Sequence, residues 1–177
     1  KLWDHYFDKG GNTFDNSIYY KEGLLETFLG NWIKSRKIEK EIVVISKAGN
    51  EQTQPKDISY FIKKTLDRLK LDFLDIFILH HDNENIPPGE FVDVLNEQVN
   101  LGLIKSFGAS NWRRERFEKS IIWSKKNNKI PFAILNNNLS LAKMKHPLWG
   151  DCVSSNSEEY LNFLSINNQT HFSWSSQ

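Results

Sequence analysis

Short apolar runs suited to strands alternate with apolar stripes at helical spacing along the whole sequence, and this alternation restricts the fold more than any other feature. Leu2, Trp3, Tyr6 and Phe7 recur at helical spacing, and Gly10-Gly11 stops that helix. Residues 12–14 are a short strand candidate, and Leu25, Phe28, Leu29, Trp32 and Ile33 stripe a helix over about 22–36. The β-branched run at 42–46 reads as a buried strand. Ile58, Phe61, Ile62, Thr65, Leu66 and Leu69 mark a helix over about 56–70, followed by an apolar strand at 74–79. A helix over about 90–101 ends at Gly102, a suitable cap. A strand at 104–109, a helix at 114–126, a strand at 131–135, a helix at 158–166 and a half-length strand at 171–174 complete the series.

Six strand candidates separated by helices call for parallel strands joined by helical crossovers. A doubly wound open sheet and a (β/α)8 barrel both meet that requirement. The first unit carries no GxGxxG turn and the chain has no GxxxxGK[ST] loop, which favours the barrel. The longest irregular stretch, about 137–157, is long enough to be functional, although its composition suggests no ligand.

Charge and composition exclude several classes. Lys and Arg number 23 against 22 Asp and Glu, so bulk charge gives no hold on nucleic acid or anionic lipid. No apolar run approaches the roughly 18 residues that span a bilayer, and residues 1–5 carry no signal-peptide pattern. Cys152 is the sole cysteine, which excludes an internal disulfide and a CxxC zinc site. The expectation is a soluble cytoplasmic chain with no nucleic-acid or membrane partner.

Polar or aromatic residues recur where the strand candidates end: Asp15, Lys47, His80, Ser110-Asn111, Asn136 and Trp174, at intervals of 26 to 38 residues. In a parallel α/β fold such positions converge on one face, the face that carries the chemistry. Tyr20, five residues after Asp15, joins them. A tyrosine hydroxyl, with a reference pKa of about 10, is a weak acid, and a neighbouring ammonium makes its phenolate easier to form. A carboxylate beside the ammonium holds it in place, and a histidine can orient the reacting group or relay its proton. The set suits delivery of a proton to an oxygen that gains negative charge, as in carbonyl reduction. No Ser or Cys stands beside a base for nucleophilic attack. His80-His81-Asp82 invites a metal, but neighbours on a strand point to opposite faces. Arg113, Arg114 and Arg116 open an amphipathic helix and read as a solvated face rather than a phosphate patch.

The motifs around these residues carry a resemblance. The segment GNTFDNSIYY at 11–20 resembles the GxNxFDTAxxY signature of the aldo-keto reductases. Gly23, Glu26, Leu29 and Gly30 resemble its GxSExxLG, with Leu25 in place of the serine. VVISKAG at 43–49, LDFLDIFILHHD at 71–82, FGASNW at 107–112 and FSWSSQ at 172–177 are similar to successive strand ends of that family, in its order. The resemblance implies a (β/α)8 TIM barrel, here one incomplete domain over 1–177 that lacks the first and eighth strands. The activity implied is hydride transfer between NAD(P)H and a small aldehyde or ketone, with NADPH the expected cofactor and NADH the alternative. Carried over residue by residue, Tyr20 would be the proton donor. Lys47 would lower its pKa, Asp15 would pair with Lys47, and His80 would orient the carbonyl and assist the proton path. Ser110 and Asn111 would hydrogen-bond the nicotinamide carboxamide, and Trp174 would stack on its ring. Asn136 stands where the family usually has glutamine, one methylene longer, and Asp15 would also border the cofactor. A barrel of this fold that binds without turnover is the alternative. Because closure needs roughly 250 residues, the 177-residue chain is expected to be unstable or inactive by itself.

Overall fold

The computed structural model describes residues 1–176, so Gln177, the last residue of the FSWSSQ motif, lies outside the described residues. Six parallel strands form one sheet: β1 (Thr13–Asp15), β2 (Val43–Ala48), β3 (Leu74–Leu79), β4 (Ile104–Ser110), β5 (Ile134–Asn136) and β6 (Thr170–His171). Their spatial order is the order of the sequence. A doubly wound sheet must reverse its strand order once; this one never does, so the sheet is the arc of an incomplete (β/α)8 barrel.

Six α-helices accompany the strands among the described residues: α1 (Leu2–Asp8), α2 (Leu24–Arg36), α3 (Ile58–Leu69), α4 (Pro88–Asn100), α5 (Arg114–Lys126) and α6 (Glu158–Ile166). The main core lies between helices and sheet, and it includes Phe14, Val44, Phe77, Phe107 and Leu135 from successive strands. Phe132 sits among the ring edges of Trp112 and Phe107, at 5.1 and 5.5 Å between centroids, and stacks on Phe117. Residues of opposite parity face the other side, where Ile45, Ile78 and Ile134 form a small cluster flanked by Val43, Ile76 and Phe172.

The parallel register carries this parity from strand to strand. Asp15 pairs with Ile45, Lys47 with Ile78, Gly108 with Ile134, and Ser110 with Asn136. Asp15, Lys47, Ser110 and Asn136 therefore share the inner face, and His80, two residues beyond Ile78, continues it. Ser46, one residue from Lys47, has the opposite parity and donates its hydroxyl to Glu26 of α2 at 2.8 Å.

Glu26 is fully buried. Its carboxylate also accepts from Thr65 at 2.9 Å and Arg68 at 3.1 Å, both on α3. Arg68 in turn donates to the carbonyls of Ile18 and Glu22, at 3.3 and 3.0 Å. A buried charge is tolerable when paired and hydrogen-bonded in this way. The network anchors the segment after β1, in which Lys21 and Glu22 take φ of 49° and 57°. Gly30 lets α2 approach α3 closely, because a Cβ there would meet the backbone of Leu69.

Several boundaries differ from the sequence reading. β2 runs on to Ala48 and β4 to Ser110, so Lys47 and Ser110 lie within strands rather than beyond them. β5 begins at Ile134, and β6 pairs over Thr170–His171 alone, with Trp174 in an isolated bridge to Asn138. Among the described residues no helix is long and apolar enough to cross a membrane.

Candidate active site

A cavity of about 170 Å3 opens at the C-terminal end of the sheet, lined by Asp15, Tyr20, Lys47, His80, Ser110, Asn111, Asn136 and Trp174. Every residue singled out from the sequence thus meets the others at one place. Trp149 and Ser175 complete the lining.

Lys47 is buried, and its ammonium pairs with the carboxylate of Asp15. The same ammonium lies 5.4 Å from the centroid of the Tyr20 ring. The register makes this arrangement: Asp15 ends the edge strand, and Lys47 is two residues further along its neighbour than the partner of Asp15. Tyr20 begins the 3-10 turn (Tyr20–Gly23) that leads into α2. Tyr19 points elsewhere, its hydroxyl accepting from the Gly49 amide at 3.2 Å.

His80 is held on every side. Its amide donates to the Ala48 carbonyl at 2.8 Å, and its carbonyl accepts from Asn111 Nδ2 at 3.2 Å. Its ring stacks between Tyr19 and His81 and meets Tyr20 edge-on, at 6.0, 4.8 and 6.0 Å between centroids. Nδ1 lies 3.1 Å from the Ser17 hydroxyl. Burial, reinforced by the charges of His81 and Lys47, pushes its pKa down to about 3. His80 is therefore a neutral imidazole at ordinary pH.

The polar wall is closely knit. Ser110 Oγ donates to the Asn136 carbonyl at 2.6 Å, and Asn111 Nδ2 donates to Ser110 Oγ at 3.2 Å. Asn111 takes φ of 58°, a conformation that asparagine tolerates well. Asn136 donates from Nδ2 to the Phe172 carbonyl at 2.5 Å, so its amide clasps the end of β6. Trp174 stacks on Trp149, 5.2 Å between centroids and 19° between planes. A hydroxyl, two amides and a flat indole thus line the same cavity.

Three sequence readings need correction or addition. His80 and His81 do not point to opposite faces: they lie beyond the end of β3, where strand alternation lapses, and their rings stack. His81 pairs with Asp151 and Asp82 with Arg116, and among the described residues no group of three His, Cys, Asp or Glu side chains could hold a metal ion. Arg116 does not belong to a solvated face. It grips Asp82 with two bonds of 2.7 and 2.8 Å and the carbonyls of Asn83 and Ile86. Arg113 makes an exposed ion pair with Glu84, and the half-buried Arg114 pairs with Glu115, Glu118 and Glu159. Ser17 and Trp149 escaped the sequence reading. A tryptophan within a polar loop was a signal for the second; the first had only its place between Asp15 and Tyr20.

The family model described as "Aldo/keto reductase family" matches residues 1–153. The chain belongs to the aldo/keto reductase family. Norsolorinic acid reductase B of Aspergillus parasiticus is 27% identical over 124 residues, 62% of this chain and 32% of that protein. Among solved aldo-keto reductases, a thermostable one in complex with the inhibitor epalrestat superposes with a TM-score of 0.82 at 25% identity, over 98% of this chain and 58% of that one. The Klebsiella pneumoniae aldo-keto reductase in complex with NADPH shares the fold with a TM-score of 0.79 at 21% identity, over 95% of this chain and 54% of its own. The chain thus spans a little over half the length of these solved aldo-keto reductases and about a third of the curated relative.

Proposed function

We propose that this chain carries the catalytic centre of an NADPH-dependent oxidoreductase that reduces small aldehydes or ketones to alcohols, with Tyr20 as proton donor. The NADPH of the Klebsiella pneumoniae structure supports this choice of cofactor. The observation that carries the reading is the Lys47 ammonium, paired with Asp15 and set against the Tyr20 ring, beside a neutral imidazole.

The bound dinucleotide would supply the hydride to the carbonyl carbon. As negative charge grows on the carbonyl oxygen, the Tyr20 hydroxyl gives up its proton to it. The Lys47 ammonium lies beside the negative charge left on Tyr20, and Asp15 holds that ammonium in place. His80 cannot serve as the acid at neutral pH, because with a pKa of about 3 it carries no proton to spare. Its part is to hydrogen-bond and orient the carbonyl oxygen. Ser110, Asn111 and Asn136 would hold the carboxamide, and Trp174 would pack on the ring. To do so, Asn111 would exchange a present bond, such as the 3.3 Å one its Oδ1 accepts from the Val153 amide.

The test is NADPH oxidation with an aromatic aldehyde, comparing the unsubstituted chain with Tyr20→Phe. Loss of a positioned general acid costs about 10²- to 10⁴-fold in kcat, while NADPH affinity, read by fluorescence titration, should change less than about threefold. Equal turnover rates would exclude Tyr20 as the donor. NADPH binding without turnover in either protein would favour a binding barrel instead.

A further inference from the structure

Ser17 is fully buried, in the segment between Asp15 and Tyr20. Its single hydroxyl touches three parts of the site: the Lys47 carbonyl at 3.0 Å, the Tyr19 amide at 3.2 Å and His80 Nδ1 at 3.1 Å. We propose that Ser17 is a positioning residue whose hydroxyl pairs with His80 Nδ1 in either tautomer, so that Nε2 can serve as donor or acceptor in the cavity. This rests on the reading of His80 as the group that faces the substrate oxygen.

The Ser17 hydroxyl has one proton to give, the neutral His80 ring one N–H, and the Tyr19 amide always donates to Oγ. Two arrangements satisfy every group. In the first, Ser17 donates to the Lys47 carbonyl, so Nδ1 must carry the ring proton and donate to Oγ. Nε2 is then bare and can only accept. In the second, Ser17 turns its proton to Nδ1, and Nε2 carries the ring proton and can only donate. The Lys47 carbonyl is not orphaned by that turn, because it also accepts from the Ile18 amide at 3.0 Å. Rotation about one C–O bond thus converts Nε2 from acceptor to donor at no cost in unmet hydrogen bonds.

The ring itself need not move. Tyr19 and His81 stack on it, and both backbone groups of His80 are bonded. A donor at Nε2 suits a carbonyl oxygen, and an acceptor suits the hydroxyl of an alcohol. The same imidazole can therefore orient the substrate of reduction and that of the reverse oxidation. An alanine at position 17 would leave Nδ1 with no partner, and the ring would lose the contact that lets both tautomers stand.

The experiment compares the unsubstituted chain, Ser17→Ala and Ser17→Thr. The His80 ring nitrogens are followed by 15N NMR, assigned through His80→Gln, and benzaldehyde reduction by NADPH is followed in parallel. Ser17→Ala should move the His80 ring-nitrogen shifts toward a single tautomer and lower kcat about tenfold, with the KM for NADPH unchanged. Ser17→Thr, which keeps the hydroxyl, should restore both. Unchanged ring-nitrogen shifts in Ser17→Ala would overturn the inference, as would equal losses in Ala and Thr, which would mean packing alone. If the unsubstituted chain shows no turnover, the kcat comparison falls away, and the ring-nitrogen comparison by itself upholds or overturns the part assigned to Ser17.

Discussion

The depressed pKa of His80 makes stability depend on pH in a window that can be calculated. In the folded chain the ring titrates at about 3, against 6.5 for an ordinary histidine, because burial and the nearby charges of His81 and Lys47 oppose protonation. Between those values the unfolded chain holds a proton that the folded chain does not. Stability is therefore fully present above pH 6.5, falls as pH drops through that value, and stops falling below about 3. At about 1.4 kcal/mol per unit, the whole window is worth at most about 5 kcal/mol, and the stretch from about pH 7.5 to 4.5 about 3 kcal/mol. The assay is urea unfolding at several pH values across that stretch, for the unsubstituted chain and for His80→Gln. The half-buried His171, also shifted down by desolvation, adds to the slope in both proteins and cancels in the difference. The expected result is a steeper loss of stability in the unsubstituted chain. Parallel curves would refute the account of His80 as a neutral ring held against its own protonation.

Two further substitutions test the frame beneath the site. Glu26→Ala leaves Arg68 without its buried partner and frees the hydroxyls of Ser46 and Thr65; it should lower unfolding stability by about 3–5 kcal/mol, measured by urea titration. A loss under about 1 kcal/mol would show that the network is dispensable. Gly30→Ala improves helix propensity by about 1 kcal/mol in an open helix. Here its methyl group would meet the Leu69 backbone, so the variant should melt at a lower temperature than the unsubstituted chain, and a higher melting temperature would contradict the close approach of α2 and α3.

The sequence made the alternation of elements legible because each strand and helix carries its own apolar period. The spans of α5 and α6 agree with their stripes and their polar flanks. The strand ends were blurred because Lys47, Ser110 and Asn136 are polar and interrupt the apolar run while the backbone pairing continues. At the other extreme, Phe172 looks like strand but lies beyond the two residues of β6. The site residues could be collected because strand ends converge in any parallel barrel. What could not be read were partnerships over long sequence distance. Arg116 looks like any surface arginine until Asp82, 34 residues away, is seen in its grip. Ser17 becomes notable only once His80, 63 residues on, lies against its hydroxyl.

The shared parity of the inner face has a consequence for how this chain can vary. Chemistry and core are written in the same two-residue phase, one on odd steps and the other on even. Deleting a single residue early in β2 would send the Lys47 ammonium among the helices and turn Ser46 toward the cavity, away from Glu26. The same slip would bring Val44 out of the main core. A length change in a strand therefore strikes catalysis and folding together, whereas length changes in loops that carry no site residue leave this phase intact. Diversity in substrate is open to such a chain only through its loops, because its strands are locked in step with one another.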